Sequence, residues 1–150
     1  MLPFLLSGWK MGFRSKEGDN LANKRDLSLN EYSISKYRYR ELKNFCLQYR
    51  EKKMQLSSIT LLGSAGTESS GKGNTIADRT ANDAIRIAEI KRDIDMIESS
   101  AREADETIQK YILANVVDEI PYEYMDAPIG RRQFYEARRK FFYILSQKKK

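Results

Sequence analysis

Histidine is missing from the sequence, and cysteine occurs only once, as Cys46, in a chain of 150 residues. Without imidazole, the chain has no histidine to act as a general base, a zinc ligand or a member of a Ser-His relay. A single cysteine excludes an intrachain disulfide and, with histidine absent, zinc sites built from Cys and His. These absences remove most hydrolase, protease and zinc-module classes. We therefore expect a protein that is not an enzyme and that uses neither a metal nor a cofactor.

Proline and long apolar runs are also scarce. Pro3, Pro121 and Pro128 are the only prolines, so long stretches contain no helix breaker, which favours helices. The opening apolar run, residues 1–6, is too short for a membrane span, which needs about 20 apolar residues, and it lacks the features of a secretory signal. We predict an all-α protein located in the cytoplasm, with no membrane partner.

Charge is distributed unevenly along the chain, whose net charge is +6. Residues 131–150 carry eight basic residues and a single acid, Glu136, whereas residues 76–126 carry six basic and thirteen acidic residues. Residues 1–75 are basic again, with thirteen Lys/Arg against seven Asp/Glu. An acidic middle between basic ends predicts that a polyanion binds at the ends. The alternative is a protein with uneven tails and no such ligand.

Two long amphipathic stretches predict the main helices. The first runs from about Ser35 to Ile59 and the second from about Thr75 to Ala104, each with apolar residues at alternating spacings of three and four, an alternation that Lys52 interrupts in the first. Those positions are Leu42, Phe45, Tyr49, Leu56 and Ile59, with Cys46 beside them, and Ile87, Ile90, Ile94, Ile97, Ala101 and Ala104. Because each stripe is narrow, we expect the two helices to close as an antiparallel hairpin. Separate packing of each stripe on the rest of the domain is the alternative.

The segments outside these helices set the domain boundaries. Residues 1–30 are mostly polar and have no helical stripe, so we expect a poorly ordered N-terminal arm. The hairpin then occupies residues 31–104, with a flexible Gly/Ser-rich linker at 63–74. Residues 66–73 match a phosphate-binding P-loop except at the last position, where Gly73 replaces the hydroxyl residue that holds magnesium. We favour a linker over a nucleotide site.

Residues 105–150 carry three shorter helical patterns, which form the third segment. They are Asp105–Val117 with Asp105 as candidate N-cap, Pro121–Met125 with proline at the first position, and Arg131 to about Gln147 with Phe134, Ala137, Phe141 and Ile144/Leu145 at helical spacing. Pro128 disfavours helix at the residue before it and so separates the last two. A short helix, a tight turn and a longer helix with a basic outer face make a helix-turn-helix pattern. The alternative is a packing helix whose basic face is merely solvated.

The second helix of such a motif enters the major groove of DNA with its first residues toward the bases. The first turn of the last predicted helix carries long side chains that donate hydrogen bonds, and such side chains reach the edges of purine bases. The candidate DNA-binding residues are Arg131, Arg132, Gln133, Tyr135, Arg138, Arg139, Lys148 and Lys149. The electropositive N-terminus of the helix adds backbone N–H groups for a phosphate. We therefore predict that residues 105–150 are a DNA-binding segment.

The run IPYEYMDAPIGRRQFYEARRKFFYIL resembles the sigma-region-4-type helix-turn-helix of phage late transcription activators, the RinA/ArpU-type regulators. The order of elements is similar over residues 33–147. The resemblance implies binding to double-stranded promoter DNA and activation of late packaging and structural genes. It also implies host RNA polymerase as a further partner and the cytoplasm of a bacterial host cell as the location. By position, Arg131, Arg132, Tyr135 and Arg139 would face bases and phosphates.

Two other functions stay open at this point. One is a virion-assembly protein, such as a small terminase-like subunit that recognises packaging DNA as a homo-oligomeric ring. The other is a helical protein that binds another protein and no DNA. Apolar stripes that pair between chains would indicate the ring, whereas stripes that pair within one chain would indicate the activator.

Overall fold

The computed structural model describes residues 32–64 and 73–150. Every regular element in these two ranges is helical, so the predicted all-α class is confirmed for them. The arm expected at residues 1–30 lies outside the described residues, and so does most of the linker, residues 65–72. The flanking helices extend into the expected linker at both ends: residues 63–64 and 73–74 are helical.

The helix predicted at residues 35–59 is divided in two. Helix α1 spans Lys36–Leu47 and helix α2 spans Tyr49–Ser64. The Ser35 hydroxyl caps α1 by accepting from the backbone N–H of Arg38 at 3.1 Å. At the break, the Gln48 N–H donates to the carbonyl of Phe45, three residues back, at 3.3 Å, which tightens the turn. Neither proline nor glycine marks this position, so the apolar spacing alone predicted one helix.

Helix α3 spans Gly73–Ala104, close to the predicted range, and packs against α2. Polar contacts fix the direction of this pairing. The Tyr49 hydroxyl donates to Glu98 at 2.5 Å, whereas Lys52, further along α2, forms an ion pair with Asp93, which lies earlier on α3. The two helices therefore run antiparallel within one chain.

Helix α4 spans Gln109–Val117 and begins later than the prediction of residue 105. The residue predicted as its cap, Asp105, accepts instead from the N–H groups of Thr107 at 2.9 Å and Ile108 at 3.4 Å. Asp105 thus closes the turn between α3 and α4. The residue that directly precedes the helix, Ile108, makes no side-chain capping bond.

The short helix predicted at residues 121–125 is a three-residue 3-10 turn, Tyr122–Tyr124, with Pro121 in front of it. A hydrogen bond from the Tyr122 hydroxyl to the Ile129 carbonyl, 2.7 Å, holds the following loop against it. Helix α5 then spans Arg131–Lys148. A helix-turn-helix needs two helices joined by three or four residues. A 3-10 turn stands where the first helix of the predicted motif was expected. The predicted arrangement, a helical hairpin followed by a helix-turn-helix, is therefore not confirmed.

The hydrophobic core lies where α1, α3, α4 and α5 meet. The largest fully buried side chains are Phe134, Phe141, Phe142, Leu42, Ile97, Ile108, Ile112 and Leu145. Three of them, Phe134, Phe141 and Leu145, belong to the predicted apolar stripe of α5, so that side of the helix is fixed against the protein. The opposite side of α5 is left for solvent, which positions the candidate site.

Candidate nucleic-acid interface

Helix α5 begins at an open N-terminus. Gly130 is the N-cap residue and supplies no side-chain capping bond, while its carbonyl accepts from the Phe134 N–H at 3.0 Å. Nothing lies within 4 Å of the place where a Gly130 side chain would begin. Space is therefore open beside the N-cap residue, and the unpaired N–H groups at the N-terminus of a helix bind anions.

Arginine occupies the first two positions of α5. The Arg132 side chain is 91% exposed and pairs with Glu136 one turn later at 3.2 Å. Arg131 is 49% exposed, pairs with Glu123 at 2.9 Å, and places its guanidinium 5.8 Å from the centre of the Tyr135 ring. Exposed ion pairs of this kind contribute about 0–1 kcal/mol. An incoming anion can therefore replace either acidic partner at small cost.

The charge at this end of α5 is opposite to what helix stability favours. The first turn contains no acid, although carboxylates stabilise a helix N-terminus and cations there are unfavourable. Gln133 completes the turn and is also exposed. Two exposed arginines, each paired with an exposed acid, thus lie beside N–H groups that no side chain caps. These arginines do not stabilise the helix N-terminus, but they can bind an anionic ligand there.

Later turns extend the exposed side of α5. Arg139 lies seven residues after Arg132, on the same side of the helix, and is half-buried, as is Tyr135. Lys140, the next residue, is exposed, although it was not among the predicted DNA-binding residues. Its signal was available, since Lys140 stands roughly 100–120° around the helix axis from the buried positions Phe134 and Phe141.

Arg138 is placed differently, on the side of α5 that packs against α1. Its Nη2 atom donates to the Tyr39 hydroxyl at 3.0 Å. Its guanidinium lies 5.1 Å from the centre of the Phe142 ring. Contacts of this kind hold the arginine head against aromatic faces. Of the predicted DNA-binding residues, Arg138 is thus separated from the exposed group of Arg131, Arg132 and Gln133.

The C-terminal cations of α5 are held by the protein itself. Lys148 Nζ lies 2.6 Å from Glu103 and 2.7 Å from the Ser99 hydroxyl, both on α3. Lys149 Nζ lies 2.9 Å from Glu41 on α1. Hydrogen bonds from Lys149 and Arg38 lower the pKa of the Glu41 carboxyl. The structure therefore brings Lys148 and Lys149 to the opposite end of α5 from the arginines, where they attach the helix to its neighbours.

Arg38 strengthens this attachment. Its guanidinium donates to the main-chain carbonyls of Ser146, at 3.4 Å, and Lys149, while also pairing with Glu41 at 2.6 Å. The last carbonyls of a helix have no partners within the helix, and a cation there is favourable. The C-terminal end of α5 is thus capped by Arg38, whereas no side chain caps its N-terminal end, where the arginines are more exposed than Lys148 and Lys149.

Other kinds of site find little support in the part of the chain that the structure describes. No group of three or more Cys, Asp or Glu side chains suitable for a metal ion occurs there. Burial raises the pKa of the Cys46 thiol to about 12, so this thiol is a core group rather than a nucleophile. None of the described helices is long and apolar enough to cross a membrane.

Comparison with known proteins adds no assignment. No protein-family model, curated protein or solved structure matches the chain. What the described residues define is an all-α protein with an open, arginine-bearing helix end. The resemblance to phage late activators stays a prediction.

Proposed function

We propose that the protein is a non-enzymatic regulator of phage type that binds double-stranded promoter DNA through the first half of α5. The observation that carries this proposal is the exposure of Arg131, Arg132 and Gln133 together at the open N-terminus of the helix. In this proposal the protein acts in the cytoplasm of a bacterial host and activates late packaging and structural genes beside the host RNA polymerase.

The dimensions of α5 support insertion into a groove. Its 18 residues correspond to about 27 Å of helix, and the major groove admits a single α-helix. Arginine donates two parallel hydrogen bonds to guanine, and glutamine does the same to adenine. With Phe134 and Phe141 fixed in the core, the helix presents a defined face and pays little ordering entropy when it binds.

Phosphate contacts would come from the turns that follow. Arg139 and Lys140 lie on or beside the exposed side of α5, and basic residues that flank a base-reading end commonly position a helix on the DNA backbone. The competing acids, Glu123 and Glu136, hold their arginines only through exposed ion pairs. Binding is therefore expected to weaken steeply with salt, since phosphate contacts release counterions.

The test compares two variants that each remove two positive charges from α5. The first is Arg131→Ala with Arg132→Ala, and the matched control is Lys148→Ala with Lys149→Ala. The probe is a duplex selected by the wild-type protein from a library of random double-stranded DNA, and binding is followed by fluorescence anisotropy. Each lost bidentate contact in the first variant should cost about 1–3 kcal/mol.

The control variant should bind the duplex within a few-fold of wild type, because its lysines are already engaged by Glu103 and Glu41. Circular dichroism of both variants checks that the helices are retained. Unchanged affinity in the double arginine variant would rule out groove insertion by α5. Equal losses of DNA affinity in both variants would mean that the net charge of the protein, rather than the N-terminal half of α5, determines binding.

A second candidate is a small terminase-like packaging subunit that forms a ring on DNA. The observation in its favour is apolar surface on α2 and α3: Met54, Leu61 and Ile85 are all more than half exposed. Polar contacts between α2 and α3 within one chain favour the regulator. Light scattering of the purified protein distinguishes the two, since a monomer or dimer fits the regulator and eight or more subunits fit the ring.

A further inference from the structure

The first half of α3 carries an apolar face with a charge at each end. Its members are Asp78, Ala81, Ile85, Ala88 and Arg92, which follow one another at spacings of three, four, three and four. This spacing places all five on one side of a helix. All five are exposed, and Ile85 shows 59% of its surface.

Helix α2 does not cover this face. The α3 residues that turn toward the rest of the protein are Ile87, which is half-buried, and Ile90 and Ile94, which are buried. Residues two apart on a helix lie about 200° apart around its axis, so Ile85 and Ile87 occupy nearly opposite sides. Within the described ranges, no ion pair engages Asp78 or Arg92.

The helix needs additional packing in this region. Residues 78–86 are exposed on every side of α3. A helical segment with few buried side chains is marginal in water, since most helix stability in proteins comes from packing of an apolar face. A large exposed isoleucine between two alanines thus lies where a partner would stabilise α3 most.

We propose that a second copy of this chain covers the face, with the two α3 helices antiparallel and related by a two-fold axis near Ile85. Asp78 and Arg92 are each seven residues from Ile85, about 10 Å along the axis in either direction. The two-fold operation therefore brings Asp78 level with Arg92 of the partner subunit, and the same pair forms again at the other end. Such self-complementarity is what a two-fold interface requires.

The charges also decide the direction of pairing. A parallel arrangement would place Asp78 beside the partner's Asp78 and Arg92 beside the partner's Arg92, and like charges across an interface are costly. Alanine at positions 81 and 88 leaves room on both sides of Ile85, because small side chains permit helix axes to approach to about 8 Å. The antiparallel pair thus satisfies both the charges and the shape.

The outer side of α2 lacks this symmetry. Met54 and Leu61 are exposed there, but the cation nearest to them along that side, Arg50, is already paired with Asp118 at 2.7 Å. Contact between the outer α2 of one copy and α3 of the next would be head-to-tail, the type that leads to rings. The self-complementary charges on α3 favour the closed dimer.

The proposed interface is small, so the dimer should depend on concentration. The face is about 21 Å long and involves one helix from each copy, less than the roughly 800 Å² per partner of a standard stable interface. Sedimentation equilibrium of the wild-type protein over a range of concentrations should therefore show a reversible monomer–dimer equilibrium. This inference does not depend on DNA binding by α5.

The decisive experiment is a charge exchange measured as the dimer dissociation constant. Asp78→Arg alone and Arg92→Asp alone should each weaken the dimer about tenfold or more, because each creates two like-charged contacts across the axis. The variant with both substitutions should return to within a few-fold of wild type. Ile85→Glu should abolish the dimer, whereas Met54→Glu on the outer side of α2 is the matched control and should have no effect.

Several outcomes would overturn the proposal. They are a wild-type protein that stays monomeric throughout, a double exchange that fails to restore the dimer, or loss of the dimer in Met54→Glu. An assembly of eight or more subunits would support the head-to-tail ring instead. Circular dichroism of each variant confirms that α3 is retained. DNA binding by a monomeric Ile85→Glu variant would show that DNA binding through α5 does not require the dimer formed through α3.

Discussion

The two halves of α3 have similar apolar spacing and very different surroundings. In the second half, Ile94, Ile97 and Ala101 are buried, whereas in the first half Ala81, Ile85 and Ala88 are exposed. Both halves have apolar residues at helical spacing. The difference shows that apolar periodicity predicts a helix and its sides but does not predict which partner covers a given side.

What covers the second half comes from distant parts of the chain. Helices α4 and α5 pack on α3, and Lys148 of α5 contacts Ser99 and Glu103 in this half. The buried Ser100 hydroxyl donates a hydrogen bond within α3, to the Met96 carbonyl at 2.6 Å. In the first half, residues 78–88 include no buried side chain, and α2 exposes Leu61 and Leu62 at the same end.

The strongest test of this contrast applies one substitution to both halves. Ile97 is 0% exposed and Ile85 is 59% exposed. Ile97→Ala should lower the free energy of unfolding by about 2–5 kcal/mol, through lost burial and the cavity left behind. Ile85→Ala should change it by less than about 0.5 kcal/mol, as surface substitutions usually do. Urea denaturation followed by circular dichroism, at protein concentrations low enough to keep the chain monomeric, measures both.

Equal losses in the two variants would contradict the contrast. They would mean that Ile85 contributes as much packing in the monomer as Ile97 does. A loss for Ile85→Ala that appears only at high protein concentration would instead sharpen the contrast, because stability would then depend on the second copy.

Much of the fold could be predicted from the sequence. The ends of α3 and α5 lie within two residues of the predicted ones, because both helices have strong apolar periodicity and few breakers. The break at Gln48 was missed, since it arises from a local three-residue hydrogen bond rather than from proline or glycine. The 3-10 turn at Tyr122–Tyr124 was predicted too long, because proline at a first helical position indicates where a helix begins but not how far it continues.

The candidate site was predictable only in part. Arg131, Arg132 and Gln133 are exposed as the pattern of α5 indicates, since they precede the first buried position, Phe134. The partners of Arg138 and Lys149 could not be predicted, because Tyr39 and Glu41 lie about a hundred residues earlier. Whether a basic side chain is bound within the protein or left free for a ligand depends on such long-range contacts.

A smaller effect is expected in the second half of α3, where the Tyr49 hydroxyl of α2 contacts Glu98. This side chain is 5% exposed and donates to Glu98 at 2.5 Å. Tyr49→Phe should lower the free energy of unfolding by about 1 kcal/mol, the usual net contribution of a hydrogen bond, because Glu98 keeps Lys53 at 3.0 Å. Tyr37→Phe is the matched control, since Tyr37 is 80% exposed. A loss of the same size in both variants would remove the proposed role of the Tyr49 hydroxyl.

The smallest effect concerns acid stability, again through Glu98. Burial raises the pKa of this carboxyl, but hydrogen bonds from Tyr49 and Lys53, with help from the charge of Arg102, outweigh it and leave the pKa below 4.5. A lowered folded-state pKa stabilises the protein fully above pH 4.5, and this contribution is lost as the pH falls through the folded-state value. Glu98→Gln should therefore flatten the decline of the free energy of unfolding below pH 4.5, measured by urea denaturation, by under about 1 kcal/mol, because the site is partly screened by solvent.

The same measurement in the Tyr49→Phe variant shows whether this contribution depends on the contact between Tyr49 and Glu98. Removing one of the two donors moves the Glu98 pKa back toward its ordinary value, so Tyr49→Phe should show an intermediate pH dependence. Glu41 and Asp118 also have lowered pKa values, so part of the decline in acid persists in every variant. A Glu98→Gln protein with the full wild-type decline would place the acid sensitivity at those exposed pairs and leave α2 and α3 joined mainly by their apolar contacts.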